Sequence, residues 1–203
     1  MRATLILCFL FVMPAVLAQS ANPLDAASKL EPGAYYWVGT SWNAMKQIKA
    51  SGTITKHWKR MLVPGLAPQV LWKYRNAEAS IQIHGGTPLF CMKFKGAETL
   101  ITRSGDTRAL TGGDIMIIRL DEAKNHRELP ASLGGNAITF RAGLSKDRLL
   151  DITATELDTD TYMVSTKAPL APGEYLLTIS RFGVKGFDFG FHMENETPVS
   201  RPE

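Results

Sequence analysis

The side chains able to serve as ligands, bases or nucleophiles are few and widely spaced. His57, His84, His126 and His192 show no His-x-His or His-x-x-x-His spacing and have no cysteine pair for company, so no metal-ligand motif forms. Asp158-Thr-Asp160 opens like a calcium loop but lacks the glycine and distal glutamate that would complete one; a hairpin turn explains it. His84-Gly-Gly86 has the start of an esterase oxyanion loop without any Gly-x-Ser-x-Gly elbow. Gly112-Gly113 and Gly134-Gly135 lead into no Lys-Ser or Lys-Thr pair, so they read as turns, not phosphate loops. Asp and Glu are scattered, which leaves paired-carboxylate chemistry open. The sequence calls for no catalytic residue, no metal and no cofactor.

The densest cluster is aromatic. Tyr35, Tyr36, Trp37, Trp42, Trp58 and Trp72 all lie in the first half of the exported chain. Of these, Tyr36, Trp37, Trp42, Trp58 and Trp72 are the candidate binding surface, because indole faces stack on sugar rings or anchor a protein partner. The alternative is a hydrophobic seam that ties an N-terminal hairpin to the main fold. Lys56-His-Trp-Lys-Arg60 adds a basic loop, read as solvated.

What precedes these residues sets the compartment. Met1-Arg2, the apolar run Leu5 to Val12, Pro14 and then Val16-Leu17-Ala18 form a secretory signal peptide with cleavage expected after Ala18. The run is too short for a membrane anchor, and no later segment is apolar enough to span a bilayer as a helix. Cys8 leaves with the signal, so Cys91 remains alone and no intramolecular disulfide is available. Lying in the strand pattern Leu89 to Phe94, it is expected to be buried and inert. The formal charge of +4 includes Arg2, and the scattered cations carry no nucleic-acid signature.

The elements that must position these side chains read as strands. Residues 19–32 form a linker or short helical turn. Residues 33–68 hold an aromatic hairpin, Gly33 to Val38 returning over Trp42 to Ile48, and an irregular loop. Residues 69–193 carry a dense series of strands, and 194–203 a polar tail. Asp114 to Leu120 is apolar on both faces, as a strand covered on both sides would be. Ala137 to Arg141 is a further strand. From Phe187 to Met193 the alternation is strict, with Phe187, Phe189, Phe191 and Met193 against Asp188, Gly190 and His192.

One stretch points to a specific arrangement. In Leu170-Ala-Pro-Gly-Glu-Tyr175 a Pro-Gly turn runs into a strand. Leu170, Pro172 and Tyr175 resemble the tyrosine corner of immunoglobulin-like and fibronectin type III sandwiches. That resemblance implies an all-β, antiparallel Greek-key sandwich with the aromatic hairpin as an N-terminal extension. The cysteine–tryptophan–cysteine core of antibody domains is absent. The expected function is a non-catalytic binding or structural module, secreted or periplasmic, with an envelope protein or glycan as partner. The alternatives are a secreted hydrolase with a loop-built site, using His84 or His126 with a carboxylate, and a carbohydrate-binding module.

Overall fold

The computed structural model describes residues 22–56, 69–96, 99–101, 107–132, 146–179 and 185–193. The expected signal peptide, His57, Trp58, the turn expected at Gly134-Gly135, the strand expected at Ala137 to Arg141 and the expected tail lie outside the described residues. A one-turn helix, α1 (Pro23–Ala27), opens the description, with Pro23 in its first turn and the Asn22 side chain accepting from the Leu24 amide. Among the described residues no helix is long and apolar enough to cross a membrane.

Every other element of more than three residues among the described residues is a strand. The first eight are β1 (Gly33–Val38), β2 (Ser41–Ala44), β3 (Gln47–Lys49), β4 (Gly52–Lys56), β5 (Gln69–Arg75), β6 (Gln82–His84), β7 (Leu89–Lys93) and β8 (Thr99–Ile101). The rest are β9 (Thr107–Ala109), β10 (Ile115–Arg119), β11 (Asp121–Glu122), β12 (His126–Ser132), β13 (Ile152–Asp158), β14 (Thr161–Thr166), β15 (Gly173–Ile179) and β16 (Lys185–His192). The fold is all-β, and among the described residues its pairings are antiparallel except that β6 lies parallel to β16.

Three larger sheets result. The first has the order β13-β14-β7-β1-β2, the middle one β10-β15-β16-β3 with β6 beside β16, and the third β11-β12-β5-β4; β8 and β9 make a separate ribbon. Period-two alternation sorts the side chains into two cores. Phe90, Met92 and Val164 of the first sheet pack with Ile115, Ile117, Tyr175, Leu177, Phe189 and Phe191 of the middle one. On the other face of the middle sheet, Met116, Ile118 and Leu176 pack with Tyr74 and Leu129 of the third. The middle sheet is therefore covered on both faces, which is why β10 is apolar at four successive positions.

The aromatic hairpin is shorter than its sequence pattern suggests. β2 runs to Ala44, one further bond joins the Met45 amide to the Ala34 carbonyl, and the Met45 side chain is buried in the first core. The chain then crosses over, and β3 pairs with β16 in the middle sheet. Since β1 also pairs with β7 and β4 with β5, strands from before residue 69 are built into all three large sheets. The hairpin is an integral edge of the first sheet.

Candidate functional site

Alternation along β15 and β16 puts Glu174, Leu176 and Thr178 on the face toward the third sheet, with Asp188 opposite Leu176. In an exposed sheet that polar face would meet water. Here it meets Arg127 and Leu129 of β12 and Tyr74 of β5, the Arg127–Tyr74 and Leu129–Trp72 pairs being set by the β12–β5 register. Three ionisable side chains are thereby buried together: Arg127 is 2%, Glu174 3% and Asp188 4% exposed.

Arg127 occupies the centre. Its Nη1 donates to Asp188 Oδ2 at 2.6 Å and Glu174 Oε2 at 3.2 Å. Its Nη2 donates to the Arg75 carbonyl at 3.0 Å and its Nε to the Asn76 carbonyl at 3.2 Å. Glu174 also accepts from the Ala79 amide at 2.8 Å and from Gln82 Nε2 at 3.5 Å. Burial pushes the Glu174 carboxyl above its ordinary value, and the Ala79 amide, the Arg127 charge and the Gln82 bond offset only part of that rise. The Tyr74 hydroxyl is buried without a hydrogen-bond partner. Burial raises its pKa against the opposing pull of Arg127, with nearby Asp188 adding to the rise.

From Glu174 the polar chain continues outward. Gln82 spans Ala79 and His192: its Nε2 donates to the Ala79 carbonyl at 2.8 Å, and its Oε1 lies 2.7 Å from His192 Nε2. The His192 ring stacks on that of exposed His84, 5.3 Å between centroids, because β6 and β16 pair in register at these residues. Gly85 and Gly86, with φ of 66° and 68°, supply the left-handed turn that ends β6 there. Gly190 leaves the space Gln82 occupies, since a Cβ at Gly190 would stand 2.0 Å from Gln82 Oε1. Gly190→Ala is expected to swing the flexible amide aside, break its bonds to Ala79 and His192, and cost about 1–3 kcal/mol. Thermal unfolding of the variant beside wild type checks this, and a cost near zero would mean that the Gln82 bonds contribute nothing.

Other candidate residues fall elsewhere. Trp37 and Trp42 face each other across β1 and β2, edge to face at 5.2 Å, and Trp42 Nε1 donates to the Pro23 carbonyl of α1 at 2.9 Å. Tyr36, on the opposite face of β1, packs against the first core, and Trp72 packs against the second. The described members of the aromatic set are thus divided among three surroundings; Trp58 lies outside the described residues. At the corner, Leu170 is buried, the Tyr175 hydroxyl donates to the Ala171 carbonyl at 2.5 Å, and Arg119 Nη2 donates to the Pro172 carbonyl.

Three further groups with chemical potential, His126, Cys91 and Asp114, are engaged or buried. His126 has both ring nitrogens taken, Nδ1 by Asn125 Oδ1 at 2.7 Å and Nε2 by Glu128 Oε1 at 2.6 Å. Cys91 is fully buried, and burial pushes its thiol to about 11 despite the nearby Lys93 charge; it is no nucleophile at neutral pH. Burial also acts on Asp114, but the Arg108 guanidinium and the Thr111 amide and hydroxyl outweigh it and hold that carboxyl below its usual range. The pair closes the short turn before β10. Among the described residues no group of three or more His, Cys, Asp or Glu is placed to hold a metal ion. A groove of about 510 Å³ opens between edge strands β10 and β13, lined in part by Gly112, Met116, Leu149, Asp151 and Ala154.

Sequence reasoning missed Arg127, Glu174 and Asp188. Glu174 and Asp188 alternate with core residues, Arg127 takes an inward position between His126 and Glu128, and a signal was present in β10, whose two apolar faces require its neighbours to be covered on both faces as well. No protein-family model matches the chain, and no curated protein or solved structure is significantly similar to it.

Proposed function

We propose that this chain is an exported, non-catalytic binding or structural module of the cell envelope, in which the first and middle sheets form an immunoglobulin-like Greek-key sandwich and the third sheet is an added layer. The observation that carries the reading is the fate of the convergent ionisable groups. Arg127, Glu174 and Asp188 are sealed between sheets and bonded to one another and to backbone, which makes them a tie between layers, not a place where a substrate could react. Export rests on the Met1 to Ala18 signal pattern. The immunoglobulin-like reading rests on the Leu170, Pro172 and Tyr175 pattern with the Tyr175 hydroxyl bonded four residues upstream. The partner in this reading is another envelope protein.

Two measurements on the full-length chain in its host test it. Mass spectrometry of the exported fraction should find a mature chain beginning at Gln19. Cross-linking in the intact envelope should then give one reproducible adduct that excess unlabelled mature protein competes away. Retention of the uncleaved chain inside the cell would overturn the export reading. Turnover of ester, peptide or glycoside substrates by purified mature protein would overturn the non-catalytic one.

A further inference from the structure

Among the described residues the interior cluster holds two acids and one base. Two carboxylates, Glu174 and Asp188, share the single guanidinium of Arg127, and all three side chains are at most 5% exposed. With both acids ionised the group would carry one net negative charge in a low-dielectric interior, at a desolvation cost that grows with burial. The geometry ranks the acids. Asp188 holds the guanidinium at 2.6 Å, while Glu174 is further from it at 3.2 Å. Around Glu174 stand Arg127 from β12, the Ala79 amide, and Gln82 of β6 with His192 behind it, while Asp188 of β16 and Tyr74 of β5 lie beside the shared Arg127. From β10 the facing side chains are apolar, Met116 and Ile118.

We propose that Glu174 is a proton-operated lock between the middle and third sheets, closed when its carboxyl is protonated and strained when it ionises. A protonated Glu174 leaves an Arg127–Asp188 pair of zero net charge holding β12 against β16. Ionisation buries an extra negative charge at the same contact and loosens it. The upward displacement of the Glu174 carboxyl by burial agrees with this.

The direction of the pH effect follows. Between the ordinary glutamate value of 4.5 and the higher folded value, the folded chain binds a proton that the unfolded chain has released. Stability from this group is full below 4.5 and is lost as pH rises through the folded value. Denaturant unfolding of the mature protein from acid to neutral pH, wild type beside Glu174→Gln, isolates the effect. The wild-type chain should lose stability relative to the glutamine variant as pH rises through that window, because glutamine cannot ionise. Parallel pH profiles would overturn the lock. Should Glu174→Gln fail to fold, carboxyl carbon-13 NMR of wild type labelled at glutamate gives a second readout. A buried glutamate resonance titrating above 4.5 and abolished by unfolding supports the proposal, and its absence overturns it.

Discussion

Arg127→Met should lower stability by about 3–5 kcal/mol at neutral pH, the cost of breaking a buried ion pair from one side. Methionine fills much of the volume and suits an apolar layer, so lost packing is a small part of the effect. The larger part is what the guanidinium leaves behind: the Glu174 and Asp188 carboxylates without their cation, and the Arg75 and Asn76 carbonyls without donors. The same variant should therefore be less damaging at acid pH, where the Glu174 carboxyl, already raised by burial, takes up a proton. Replacing the acids as well, in Arg127→Met/Glu174→Leu/Asp188→Leu, should recover much of the loss, because apolar groups of similar size need no partners. Urea unfolding of the single and triple variants checks both statements. A single-variant cost below about 1 kcal/mol would show the cluster to be solvated like a surface pair.

This expectation could not be drawn from the sequence, and the reason is physical. Alternation in β15 and β16 is legible: Tyr175, Leu177, Phe187, Phe189 and Phe191 fall on one face and Glu174 and Asp188 on the other. A polar residue alternating with core residues is normally facing water. Whether it does so here depends on a second layer, built by pairing β5 with β12 across a long stretch of chain. Local pattern carries little information about such long-range pairing. Arg127 is hidden for the same reason, since His126 and Glu128 flank it and point outward, giving a run that reads as a charged turn. The double-faced apolar character of β10 was the available clue to a covered middle sheet, and the polar faces of its neighbours had to follow from it. Likewise, the aromatic density of β1 and β2 was legible, but the division of the described aromatic residues between the α1 contact and two cores depended on which layers cover β1 and β5.

Phe189→Ala should be the most damaging truncation in the first core, at about 3–5 kcal/mol. Phe189 is fully buried at the middle of β16. Its ring lies 4.7 Å from that of Phe90 in the first sheet and 5.4 Å from that of Tyr175 on the neighbouring strand. Removing it opens a space lined by ring edges and faces that β-sheet backbone on both sides holds apart, so the site cannot collapse around alanine. Ring-to-ring contacts add about 0.5–1.5 kcal/mol beyond the lost area, which separates this position from Phe187 on the same face. Phe187 is only half-buried and sits beside the core, so its truncation should cost clearly less. A Phe90→Leu/Phe189→Leu double-mutant cycle, read by denaturant midpoint, measures the inter-sheet ring contact directly. A coupling energy indistinguishable from zero would mean that the first and middle sheets are joined by burial alone.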